Sequence, residues 1–143
     1  MILKRFIPLL LCVLLLAACG RSDPQVALDT AVKNLQTALE KKDTSAVMAL
    51  LHSDFSAQQP ENGREWAKQT MTLMFLRYKN INIIALSQDS RIDSRISSRA
   101  FTDVNVALTG AEGLIPDSAR HYRVKLEWRL LDKEWKLIRL QWE

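Results

Sequence analysis

The sequence predicts an α+β domain, N-terminal helices packed on an antiparallel sheet of about four strands. Two observations carry this. From residue 24 to residue 78 apolar side chains recur at spacings of three and four, and from residue 80 onward they recur at two. A third observation constrains how the domain is stabilised. The chain has only two cysteines, Cys12 and Cys19, both ahead of the periodic segments, so the domain has no thiol for a disulfide and depends on its core.

The N-terminus reads as an export signal. Lys4 and Arg5 precede an apolar run from Phe6 to Leu16. That run is too short to cross a hydrocarbon core of roughly 30 Å, which takes about 20 residues of helix. Leu16-Ala17-Ala18-Cys19 resembles the bacterial lipobox. The resemblance implies cleavage before Cys19, a diacylglyceryl thioether on its sulfur and a third acyl chain, such as palmitate, on its freed amine. Each buried methylene contributes about 0.8 kcal/mol, so two or three chains hold a protein on a bilayer durably. Residues 1–18 are therefore expected to be the signal peptide, residues 19–23 a lipidated tether and residues 24–143 a single domain. Gly20 at the second position implies sorting to the inner leaflet of the outer membrane in a two-membrane bacterium, with the domain facing the periplasm.

Asp23 followed by Pro24 is a helix start, because the carboxylate accepts from exposed amides and proline suits the first helical position. The first helix is expected to run to about Lys42, with Leu28, Ala31, Val32, Leu35, Ala38 and Leu39 on its buried stripe. Asp43 and Thr44 open a short second helix through Leu51, with Phe55 filling the gap beneath it. The polar stretch from Ser56 to Gly63, with Pro60, reads as loop. Asn62 and Glu65 then resemble a capping box that begins a third helix through about Tyr78. Its apolar residues, Trp66, Ala67, Met71, Met74, Phe75 and Tyr78 with Leu73 and Leu76 alongside, predict the most buried of the three.

Strands are expected near residues 81–92, 96–108, 120–131 and 134–142. The third is the clearest, with Tyr122, Val124, Leu126, Trp128 and Leu130 alternating against Arg123, Lys125, Glu127 and Arg129. In the last, Trp135 and Leu137 change phase to Leu140 and Trp142, as a bulge would cause or as cover on both faces would allow.

Charge and composition exclude several functions. The chain has 20 Lys+Arg against 16 Asp+Glu, and the signal takes Lys4 and Arg5 with it, leaving too small a surplus for nucleic-acid binding. His52 and His121, the only histidines, are too far apart in sequence to suggest a metal motif, and no cofactor motif is present. Arg91, Arg95 and Arg99 stand four apart and suggest an anion comb. The interleaved Asp89 and Asp93 instead favour one solvated face around a hairpin turn.

Helices followed by antiparallel strands resemble the cystatin-like cone of the NTF2-like superfamily. The resemblance is carried by Leu35 through Leu51 with Asp43 at the junction, by His52-Ser53-Asp54-Phe55, and by Trp135 through Trp142. It implies a curved sheet wrapped around the helices, a pocket inside the cone and an outer sheet face available for pairing. Candidate lining residues are Trp66, Tyr78, Tyr122 and Trp128. His52, expected at a helix end, and Asp103 are further polar candidates, but no spacing joins them into an acid–base pair. The expected function is a membrane-anchored envelope lipoprotein, lipidated at Cys19, with a non-catalytic binding or accessory domain. The alternatives are a small apolar-ligand carrier or pocket enzyme using the cone, and a structural subunit or homodimer pairing through the sheet face.

Overall fold

The computed structural model describes residues 23–112, 115–116 and 120–143. The expected signal peptide, Cys19 and the tether up to Ser22 lie outside the described residues. Helix α1 (Pro24–Glu40) begins where the sequence places it, with Asp23 Oδ1 accepting from the Gln25 amide at 2.8 Å. It buries Leu28, Ala31, Val32, Leu35 and Ala38. It stops two residues before Lys42, whose positive φ of 55° turns the chain. Asp43 then caps helix α2 (Thr44–Leu50) by accepting from the Ala46 amide at 3.0 Å.

The next segment corrects the sequence reading. Strand β1 (Leu51–Ala57) occupies residues expected as the end of a helix and the start of a loop. Its register shifts between Leu51 and Ser56, so the inward residues Leu51, Phe55 and Ala57 break the simple alternation by which strands are recognised. Helix α3 (Arg64–Arg77) is capped by Gly63 without a side-chain hydrogen bond. The Asn62–Glu65 capping box does not form. The Asn62 carbonyl accepts from the Ala57 amide, and Glu65 accepts from Gln69 one turn on. Nor is α3 the most buried helix, since Ala67 is its single buried residue.

The remaining strands are β2 (Ile81–Ile92), β3 (Arg99–Glu112), the two-residue β4 (Ile115–Pro116), β5 (Arg120–Leu131) and β6 (Glu134–Trp142). Their order is β1-β6-β5-β3-β2, with β4 on β3. The main sheet thus has five strands rather than about four, and it is mixed, because β1 pairs in parallel with β6 while its other neighbours are antiparallel. β3 starts at Arg99, later than residue 96. Asp93 Oδ1 accepts from the Arg95 and Ile96 amides at 2.8 and 3.2 Å, and this turn holds Ile96 outside the ladder.

The phase change anticipated in the last strand is a bulge. Glu127 opposes Arg139 and Trp128 opposes Leu137, which leaves Ile138 as the extra residue. A second bulge places Leu86 between the paired Ala85 and Ser87 in β2. Bulges bend strands, and these two curve the sheet around α1. The free edge of β2 is covered by α1 side chains. Gln36 Nε2 donates to the Ile83 carbonyl at 2.8 Å, Glu40 Oε1 accepts from the Ile83 amide at 2.9 Å, and Gln25 Nε2 donates to the Ser90 carbonyl at 3.0 Å.

The result is a cone with unlike poles. At the closed pole Leu28, Ala100, Thr102, Trp128 and Trp135 fill the interior. The buried polar groups there are paired: Trp128 Nε1 donates to Thr102 Oγ1 at 3.2 Å, and Trp135 Nε1 donates to the Pro24 carbonyl at 3.0 Å. α1 enters at this pole. The other pole is formed by the end of α1, by α3 and by the strand segments at Ile81, Leu108, Tyr122 and Trp142.

Candidate ligand cavity

An open cavity of about 450 Å³ occupies the second pole. That lies within the roughly 300–1,000 Å³ range of small-molecule sites. α1 supplies Val32, Leu35, Gln36 and Leu39; α3 supplies Trp66, Ala67, Thr70, Met71, Met74 and Phe75. Val47 of α2, Leu51 and Phe55 of β1 and inward residues of β2, β3, β5 and β6 complete the wall, among the last Ile83, Gln88, Val106, Tyr122, Val124, Leu140 and Trp142. The β2 bulge decides one of these positions. Inward residues run Ile81, Ile83 and Ala85, and the extra Leu86 shifts the phase so that Gln88 also faces the cavity.

α3 roofs this space. Its partners are chiefly α2 and β1, while Met71, Met74 and Phe75 face the gap. That explains its low burial despite its apolar sequence: one flank borders the cavity, and Leu73 and Leu76 are 65% and 81% exposed on the other. Its ends are pinned to the body. Arg64 donates to the Met48 and Leu51 carbonyls at 3.1 and 2.7 Å, and Lys42 Nζ donates to the carbonyls of Phe75 and Tyr78.

The wall has no Asp, Glu, His, Lys, Arg or Cys among the described residues. Of the four candidate lining residues, Trp66 and Tyr122 are on it. Tyr78 is the C-cap of α3, outside the wall, with the Arg77 guanidinium 5.6 Å from its ring centre. Trp128 is fully buried in the closed pole. Trp142, Thr70 and Gln88 also line the cavity, although the sequence does not single them out.

The polar candidates lie elsewhere. His52 is the second residue of β1 rather than a helix-end residue, and its Nδ1 accepts from the Asp54 amide at 3.0 Å. Asp103 is on the outer sheet face, 2.7 Å from Arg91 Nη1. That contact, with a second from Asp89, holds the Arg91 guanidinium above its ordinary pKa. Arg99 pairs with Glu127 at 2.9 Å, so Arg91 and Arg99 serve a charged sheet surface rather than an anion comb. The two guanidiniums also flank Phe101, 5.7 and 4.8 Å from its ring centre. Among the described residues no cluster of His, Cys, Asp or Glu forms a metal site, and no helix is long and apolar enough to cross a membrane.

Fold and cavity together define a cystatin-like cone open at one end. Solved structures of this type resemble it at low sequence identity. A Nostoc punctiforme protein of unknown function with a cystatin-like fold matches with a TM-score of 0.65 and 18% identity, over 82% of this chain and 88% of that one. An NTF2-like protein of unknown function from Pseudomonas putida gives 0.70 and 11%, over 83% and 84%. Bdellovibrio bacteriovorus Bd1075 gives 0.69 and 12%, over 81% of this chain but only 40% of that protein. The domain therefore has the NTF2-like fold. No protein-family model and no curated protein sequence matches the chain.

Proposed function

We propose that this protein is a lipid-anchored envelope module that binds an apolar small molecule inside its cone and performs no chemistry on it. The observation that supports binding is the cavity of about 450 Å³ with no carboxylate, imidazole, amine, guanidinium or thiol on its wall among the described residues. Proton transfer needs a positioned acid–base pair, and covalent catalysis needs a nucleophile activated by a neighbouring base; the Tyr122 and Thr70 hydroxyls on this wall have no carboxylate, imidazole or amine beside them on it among the described residues. The lipobox Leu16–Cys19 supports the membrane address, with Gly20 favouring the outer membrane. Charge pairing across the outer sheet face weighs against pairing of subunits through that surface.

Two measurements test the reading. In membrane fractionation the wild type is expected with the outer membrane, and Cys19→Ser is expected to lose both lipid and membrane association; a variant still lipidated and membrane-bound would remove the anchor. Titration with Nile red, an uncharged fluorophore, is expected to saturate at one site per chain. Absence of saturable binding would remove the cavity function, and turnover of a bound molecule would replace a binding module with an enzyme.

A further inference from the structure

The exposed large apolar side chains divide by position. Leu73, Met74, Leu76, Ile84 and Leu86 belong to α3 and to the part of β2 beside the cavity, whereas Val26, Ile96 and Leu131 lie at the closed pole. Three hydrogen bonds bring the second group together. Gln25 Nε2 donates to the Ser90 carbonyl at 3.0 Å, Trp135 Nε1 to the Pro24 carbonyl at 3.0 Å, and the Leu130 amide to the Ser98 carbonyl at 2.8 Å. The start of α1 therefore lies beside both the β2–β3 turn and the β5–β6 turn. Each turn exposes one apolar and one cationic side chain, Ile96 with Arg95 and Leu131 with Lys133. Neither cation makes an ion pair or a side-chain hydrogen bond among the described residues. Two of the carboxylates nearby are engaged: Asp93 Oδ1 accepts from the Arg95 and Ile96 amides, and Glu134 lies 3.0 Å from Lys136. Asp132, at a φ of 49°, is the exposed acid between Leu131 and Lys133.

On the proposed anchoring, the three residues between Cys19 and Asp23 span no more than roughly 10 Å, so both turns are held at the lipid headgroups. An apolar side chain beside a cation suits that layer, because the apolar group leaves water at the acyl boundary while the cation meets lipid phosphate. We infer that the closed pole is a second membrane contact, in which Ile96 and Leu131 enter the headgroup layer and Arg95 and Lys133 meet the phosphates of anionic phospholipid. This rests on the anchor reading above and adds to it the orientation of the domain.

The test uses the mature lipidated protein in liposomes of phosphatidylcholine, with or without phosphatidylglycerol, that carry a trace of nitroxide-labelled lipid. Lipid occupies Cys19 and Cys12 leaves with the signal, so one NBD fluorophore can be placed through Ile96→Cys, Leu131→Cys or Leu76→Cys. Labels at the Ile96 and Leu131 positions are expected to be quenched by the nitroxide lipid and to shift to the blue, and the label at the Leu76 position to stay in water. The ratio of docked to free domain, read from the two NBD lifetimes, is expected to fall about fivefold for each cation removed in Arg95→Gln/Lys133→Gln, and to fall on liposomes without phosphatidylglycerol. Asp132→Asn, which removes the opposing charge and suits the same positive φ, is expected to raise it. Quenching at the Leu76 position alone, or at no position while the protein stays lipidated and bound to the liposomes, would overturn the contact and leave the anchor intact. Quenching at Ile96 and Leu131 that is equal on both lipid mixtures and in the double variant would overturn the role of the two cations. A protein that carries no lipid and stays free of the liposomes would overturn the anchor reading, and this contact with it.

Discussion

The closed and open poles are built from the same strands and the same residue types, yet one is solid and the other hollow. β5 shows both along a single face: Trp128 is fully buried at one end, and Leu126, Val124 and Tyr122 border the cavity toward the other. What differs is the opposing helix. α1 lays Leu28 and Ala31 into the core of the closed pole, whereas α3 spans the open pole as a roof held at its ends. Apolar patterning therefore reports which residues face inward. It does not report whether anything fills the space they face.

This contrast breaks first at Leu28. Leu28→Ala removes a fully buried side chain from a packed region and is expected to destabilise by about 2–5 kcal/mol in urea denaturation. A loss below about 1 kcal/mol would mean that the closed pole is not close-packed. The opposite expectation holds at Val124, where a phenylalanine has room to enter the cavity. Val124→Phe should gain about 0.5–2 kcal/mol and lower Nile red binding; destabilisation with unchanged binding would show that the space is already taken. At the outer flank of α3, Leu76→Ser should change stability by no more than about 0.5 kcal/mol, because the side chain is 81% exposed. A larger loss would place Leu76 in an interface.

The smallest expected effect concerns the β2–β3 turn. Hydrogen bonds from the Arg95 and Ile96 amides hold the Asp93 carboxyl below its ordinary pKa. A depressed folded value means that its contribution is present above the unfolded pKa of about 3.9 and is lost as pH falls through the lower folded value. An NMR titration should find the Asp93 midpoint below that unfolded value, and the difference should shrink in Arg95→Pro, which removes one of the two donors. An Asp93 midpoint at the unfolded value in the wild type would show that the turn does not hold the carboxylate.

Much of the fold was legible because local chemistry and tertiary packing agree. The Asp23 and Asp43 caps, the stripe of α1 and the bounds of β2, β5 and β6 all follow from spacing and capping alone. β1 was not legible, since its irregular register leaves Ser53 and Asp54 exposed between the buried Leu51 and Phe55, and its parallel partner β6 lies some eighty residues away in sequence. The site was legible only in part. Trp66 and Tyr122 were candidates because large aromatics with a polar atom suit a pocket edge, but Tyr78 and Trp128 satisfy the same description. A cavity is a property of the gap between elements, and no residue encodes a gap by itself.

The entry of α1 at the closed pole has a consequence for traffic. Between Cys19 and Asp23 lie three residues, a reach of roughly 10 Å. The 17 residues of α1 then carry the chain roughly 25 Å toward the hollow end. On the proposed anchoring the molecule stands on its base like a cup, its rim turned to the aqueous compartment rather than to the bilayer beneath it. Cargo would then cross water or pass from another macromolecule at the rim, instead of sliding sideways out of the lipid that holds the anchor.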